Sequence, residues 1–109
     1  MSLESELNAL AQDCHRIAVD HGWWEAERND GEMLCLVHSE ISELCETLRH
    51  GNPPSEHIPS YSGAEEEAAD VVIRLLDLCY SKGWDLAGAI QAKVEFNRGR
   101  SYRHNGKLF

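Results

Sequence analysis

The chain has 109 residues, 42% of them hydrophobic, and a formal net charge of −9. That length suits one domain, residues 1–109, with a single core, and the apolar content excludes wholesale disorder. The charge excludes a nucleic-acid polymer as partner for most of the surface, because such binding rests on Lys and Arg neutralising phosphates.

The N-terminal "MSLESELNAL" lacks the basic stretch and apolar core of a secretory signal. No apolar run approaches the ~20 residues of a membrane span. A cytoplasmic protein without a membrane partner is expected. Leu3, Leu7, Leu10, Cys14, Ile17 and His21 recur at spacings of four and three, a helical stripe that ends at Gly22. "WWEAERND" breaks the pattern, and Asn29 followed by Glu32 has capping-box spacing, so a second helix starts near Asp30. Leu34, Val37, Ile41, Leu44 and Leu48 form its apolar face, and "HGNPP" stops it.

Residues 51–63 read as a Pro/Gly/Ser-rich loop, and Ser62 with Glu65 forms a capping box that opens a third helix. Its apolar residues, Ala68, Val71, Val72, Leu75, Leu76, Leu78 and Cys79, nearly encircle it, so it is expected at the centre of the fold. Gly83 ends that helix, Asp85 caps a fourth, and Leu86, Ala89, Ile90, Lys93 and Asn97 give its stripe. No segment alternates as a strand does. The expectation is an all-α bundle of four helices. So few helices struggle to cover a nearly all-apolar one, so a homodimer or homotetramer is expected to complete the core.

Cys14, Cys35, Cys45 and Cys79 form no C-x-x-C pair, which argues against zinc ribbons and thioredoxin-like redox chemistry. Each is expected to pack as a small hydrophobe. From Lys93 onward there are five basic residues, Lys93, Arg98, Arg100, Arg103 and Lys107, and one acid, Glu95. Residues 98–109 thus form a basic tail on an acidic protein.

The acids carry the chemistry. "HSEISELCE" places Glu40, Glu43 and Glu46 three apart in an apolar segment, and "EEEAAD" repeats the spacing with Glu67 and Asp70. Residues three apart are neighbours on a helix, so Glu40 projects with Glu43, and Glu67 with Asp70. If the second and third helices pack antiparallel, four carboxylates converge. They cannot all stay ionised without a counter-charge. A first-turn acid is also favoured by the helix dipole, which gives Glu65, Glu66 and Glu67 a purely structural reading; Glu40 and Glu43 lie mid-helix, where the dipole offers nothing. No histidine follows a Glu at the Glu-x-x-His spacing of di-iron bundles, which leaves oxygen-only ligation, hence Mg²⁺ or Mn²⁺. With no nucleophilic triad and no glycine-rich phosphate loop, what remains is metal-assisted attack by water, with basic side chains holding phosphates.

These residues resemble a known family. "SEISELCE…EEEAAD", with 23 residues between Glu43 and Glu67, is similar to the E-x-x-E…E-x-x-D signature of the MazG-like nucleoside triphosphate pyrophosphohydrolases, a group that includes dCTP pyrophosphatases and dimeric dUTPases. The resemblance extends from about "GWWEAERN" through "DLAGAIQAKVEFNRGRSYRH" to "HNGKLF". It implies that Glu40, Glu43, Glu67 and Asp70 bind Mg²⁺, with Glu40 or Glu43 positioning the attacking water. It implies further that Lys93, Asn97 and Arg100 lie near the substrate phosphates, with Arg103 and Lys107 adding positive charge. Arg28 and Asn29 would lie near the nucleotide, and Trp23 or Trp24 would stack on its base or serve as core anchors. Ser39 stands where many relatives carry a further Glu. The implied reaction is hydrolysis of a (deoxy)nucleoside triphosphate to the monophosphate and pyrophosphate, as housekeeping of the nucleotide pool. A phosphoribosyl-ATP pyrophosphatase and a non-catalytic helical dimerisation module are the alternatives.

Overall fold

The computed structural model describes residues 2–100 and contains four helices: α1 (Leu3–Asp20), α2 (Asp30–Arg49), α3 (Gly63–Lys82) and α4 (Leu86–Arg98). Among the described residues the only extended pairing is an isolated bridge between Pro54 and Ser62. Among the described residues no helix is long and apolar enough to cross a membrane.

Each helix begins where a short polar side chain captures a free backbone N–H. Ser2 Oγ accepts from Ser5 N at 3.0 Å, and Asn29 Oδ1 accepts from Glu32 N at 2.8 Å. Ser62 and Glu65 close the reciprocal box expected of them, and Asp85 Oδ1 accepts from Gly88 N. Gly83 ends α3 in the left-handed conformation, φ 72°, which a side chain would disfavour.

α3 packs on both α1 and α2, and α4 packs on α1. The α2–α3 pair is antiparallel: Lys82 meets Asp30, Arg74 meets Glu40, and Ala64 N donates to Asn52 Oδ1. α1 also runs antiparallel to α3, since His15 meets Asp77 while Asn8 reaches Asp85 just beyond the end of α3. Leu76 is the pivot, 2% exposed among Ala11, Cys14, Leu7 and Leu86, so it joins α1, α3 and α4.

The central place of α3 is as expected, and so is the incomplete cover that so few helices give it. Val72 and Ile73 stay about half exposed, because α3 packs mainly on α1 and α2 and its remaining side is open. On α2 the expected apolar face is split: Val37 is buried, whereas Leu34, Ile41 and Leu48 are exposed, Ile41 at 47%. Leu3, Leu10 and Ile17 on α1 are exposed at the same seven-residue spacing. The cysteine expectation is corrected in the same way. Cys14 and Cys79 are buried, but Cys35 and Cys45 are exposed on the side of α2 that α3 does not cover.

The α2–α3 loop is held by Gly63 N donating to Pro53 O at 2.7 Å and by Ser55 N donating to Tyr61 O at 2.9 Å. Gly63 is buried, and a Cβ there would sit 2.8 Å from Thr47 Cγ2 and 3.1 Å from Pro53 O. Neither neighbour yields easily, since one is a β-branched side chain and the other is backbone. Gly63→Ala is expected to destabilise by about 1–3 kcal/mol, the usual cost of overpacking, read as a lower midpoint in urea with unchanged slope.

Candidate metal centre

The antiparallel register of α2 and α3 brings Glu40, Glu67 and Asp70 together, with one carboxylate oxygen from each within 4.8 Å of the others. Asp70 follows Glu67 by one turn, and Glu40 faces both from the neighbouring helix. Glu43, one turn on from Glu40, lies on the exposed side of α2. Its charge is nonetheless felt by Glu67.

The electrostatics are those of crowded acids. Loss of hydration raises the Glu67 pKa, and the charges of Glu43, Asp70, Glu66 and Glu40 push it further in the same direction. Asp70 is raised by desolvation and then by Glu40 and Glu66, against the opposing pull of Arg74 and His57. Glu67 Oε2 is buried and has no hydrogen-bond partner. An orphaned carboxylate oxygen costs free energy unless something positive or protic meets it. An all-oxygen donor set with such an atom fits a hard divalent cation. Glu40, Glu67 and Asp70 would hold it, with Glu43 close enough to contribute charge.

One counter-ion already touches the cluster. Arg74, one turn beyond Asp70 on α3, donates from Nε to Glu40 Oε1 at 2.6 Å, and Glu40 is only 8% exposed. The Asp-x-x-x-Arg spacing is visible in the sequence, but the partner of Arg74 comes from another helix. The Arg74 guanidinium also lies 4.5 Å from the centre of the Trp23 ring, and Arg28 lies 4.3 Å from the same ring. Trp23, Glu40, Asp70 and Arg74 line a cavity of about 360 Å³, whose apolar wall comes from Cys14, Ile17 and Ala18 of α1 and Ile73 of α3. That volume is at the lower end for a small-molecule site.

The other expected residues separate into two groups. Trp23 lines the cavity, whereas Trp24 turns away and donates from Nε1 to Asp77 Oδ1 at 2.9 Å. Asp77 is a buried carboxylate that also meets His15 Nδ1 at 2.7 Å. Its place in the apolar run of α3 gives no sign in the sequence of these partners. Arg28 donates to Trp23 O and Glu32, and the Asn29 side chain is committed to capping α2. Lys93 lies over the Phe96 ring of its own helix, and Asn97 and Arg100 are exposed. None of the three lines the cavity, because α4 packs against α1. Arg103 and Lys107 lie outside the described residues. Ser39 Oγ donates to Leu36 O at 2.6 Å, a bond within its own helix.

A second polar cluster borders the acids. Ser55 Oγ donates to Glu66 Oε1 at 2.6 Å, and His57 Nδ1 lies 2.7 Å from Glu66 Oε2. The hydrogen bond to Glu66 raises the His57 pKa, and the bonds from Ser55 and His57 lower that of Glu66. The raised histidine contributes stability that is complete below its ordinary 6.5 and is lost as pH rises through the higher folded value. The lowered carboxylate contributes stability that is complete above its ordinary 4.5 and is lost as pH falls through the lower folded value. The loop is therefore tethered most firmly between those two ordinary values. An NMR titration of the His57 ring is expected to give a midpoint above that of a free histidine, and Glu66→Gln should return it to the ordinary range.

Comparison of the chain with models of known protein families, with curated proteins and with solved structures yields no match to any of the three.

Proposed function

We propose that this chain is a Mg²⁺-dependent nucleoside triphosphate pyrophosphohydrolase of the MazG-like kind, acting in the cytoplasm on (deoxy)nucleotides. The observation that carries this reading is the convergence of Glu40, Glu67 and Asp70 beside a cavity walled by Trp23, with Glu67 Oε2 lacking a partner. A divalent cation bound there supplies Lewis acidity toward phosphate and water and neutralises the triphosphate. Glu40, Glu67 and Asp70 are the residues that would hold it. Glu43, exposed on α2 one turn from Glu40, is the carboxylate free to orient a water or accept its proton. The apolar wall of Cys14, Ile17, Ala18 and Ile73 beside Trp23 offers a base a surface to lie on.

The distance between α4 and the cavity bears on assembly. Lys93, Asn97 and Arg100 serve the phosphates of this reading only if a second copy brings its α4 to the acids. The exposed sets Leu3, Leu10, Ile17 and Leu34, Ile41, Leu48 are the surfaces suited to that pairing. A homodimer or homotetramer is the form we assign.

The test is release of pyrophosphate from a panel of nucleoside triphosphates, with and without millimolar Mg²⁺. Turnover that requires Mg²⁺ supports the assignment, and the panel gives the base and sugar. Turnover of phosphoribosyl-ATP alone would redirect it to histidine synthesis. No consumption of any nucleotide at micromolar enzyme would sink it and leave the helical dimerisation module.

A further inference from the structure

We infer that Arg74 is the exchangeable counter-ion of the acidic cluster: it occupies Glu40 while no cation is bound and gives Glu40 up when one enters. Its guanidinium is then free to hold phosphate oxygens of the substrate. The inference rests on the proposal that a divalent cation binds at Glu40, Glu67 and Asp70.

The geometry points this way for three reasons. First, Glu40 is the most buried of the three acids, and among the described residues its one side-chain partner is Arg74 Nε, at 2.6 Å. A buried carboxylate deprived of its only cation is costly, so Glu40 needs Arg74 until another positive charge replaces it. Second, Glu67 Oε2 stays unpartnered although an arginine stands within the same cluster. Arg74 satisfies one acid and not the set, so the demand for positive charge outlasts it. Third, Arg74 has somewhere to go. Its guanidinium already lies over Trp23, a second contact that does not depend on Glu40. Among the described residues lining the cavity, it is the only side chain with permanent positive charge. A planar guanidinium resting on an indole is a ready donor for phosphate oxygens.

Arg74 also accounts for a difficulty in the α4 residues. Lys93 and Arg100 are absent from the cavity lining, so within one chain the phosphates of a triphosphate need another donor. Arg74 is that donor, and a copy's α4 would add to it and not stand in for it. Competition has a thermodynamic consequence. A cation that must displace Arg74 binds more weakly by the fraction of time Glu40 is free.

The exchange is read without nucleotide. Mn²⁺ affinity is measured on the full chain by calorimetry, for the native sequence and for Arg74→Gln and Arg74→Lys. The Arg74 side-chain Nε–H is followed by NMR through a Mg²⁺ titration. Arg74→Gln is expected to bind Mn²⁺ about fivefold to tenfold more tightly, because the competitor is gone. Arg74→Lys, which keeps the charge but loses the fork, is expected to fall between. The slowly exchanging Nε–H signal of the metal-free protein is expected to shift and exchange freely once Mg²⁺ saturates. With a nucleotide that turns over, Arg74→Gln should raise KM more than it lowers kcat.

Two results overturn the inference. One is a cation that binds while the Nε–H signal stays bonded throughout. The other is Arg74→Gln binding Mn²⁺ no more tightly than the native chain while retaining its helical content. Absence of cation binding to the native chain would instead overturn the metal centre itself, so the two failures are told apart by the calorimetry alone.

Discussion

On the function proposed above, Glu67→Gln and Asp70→Asn are each expected to lower Mg²⁺-dependent pyrophosphate release by at least about 10³-fold, since several kcal/mol of transition-state stabilisation would leave with the cation. The same substitutions are expected to raise the melting temperature of the metal-free protein. The two effects have one cause. Both carboxyls have pKa values raised by burial and by neighbouring acids, so in the folded chain their ionised forms are disfavoured. A raised carboxylate pKa means that stability falls as pH climbs from the unfolded value through the folded one, and remains reduced above it. An amide carries no charge and abolishes that loss. Mg²⁺ should stabilise the native chain and leave both variants unmoved, a difference read directly from melting curves with and without the ion. If the acids were merely solvated, neither substitution would raise the metal-free melting temperature and Mg²⁺ would change nothing. Glu43→Gln separates ligand from water-orienting residue: it should cut turnover yet keep most of the Mg²⁺ stabilisation, because Glu43 lies outside the close carboxylate group.

The sequence revealed the helices well because their ends are written locally. Asn29, Ser62 and Asp85 cap as their spacing demands, and Gly83 takes the left-handed turn. The acid pairs were legible for the same reason, since spacing on one helix is a local property. Two features depended on tertiary placement and were not legible. The first is burial around α2: a stripe of Leu34, Val37, Ile41, Leu44 and Leu48 gives a face, but only the angle at which α3 packs decides that Val37 is covered and Ile41 is not. The second is the partners of the buried charges. Arg74 and Asp77 sit among the apolar residues of α3, and what they hold, Glu40 in one case and Trp24 with His15 in the other, comes from distant segments. Asn29 shows the opposite case. The resemblance placed it near a nucleotide, while its local spacing gave it a capping role, and the cap is what engages its side chain.

Leu76→Ala is expected to produce the largest loss of stability from any single apolar truncation in this chain, about 2–5 kcal/mol. Among the described residues Leu76 is the most deeply buried large side chain, and it touches Ala11, Cys14, Leu7 and Leu86, so the cavity left behind opens between three helices at once. Ala11 is too small to fill it, and Cys14 is held in the same helix, so collapse around the gap is limited. For a domain of this size each kcal/mol moves the melting temperature by about 4–8 °C, so the variant should melt lower by about 8 °C or more. That is a large part of the total for a domain whose stability is about 5–15 kcal/mol. α4 is expected to suffer most, because it packs against α1 and its Leu86 shares this cluster. Amide exchange should therefore show α4 losing protection before α2 does. Leu10→Ala, at a side chain 48% exposed, is the control. It should cost well under 1 kcal/mol in a single chain, with a cost that grows with protein concentration if a second copy covers that face. The acids lie outside the Leu76 cluster, so Leu76→Ala at low temperature should still bind Mg²⁺ with near-native affinity. A variant that lost cation binding as fast as stability would tie the metal centre to the core, and the two would then have to be treated as one cooperative unit.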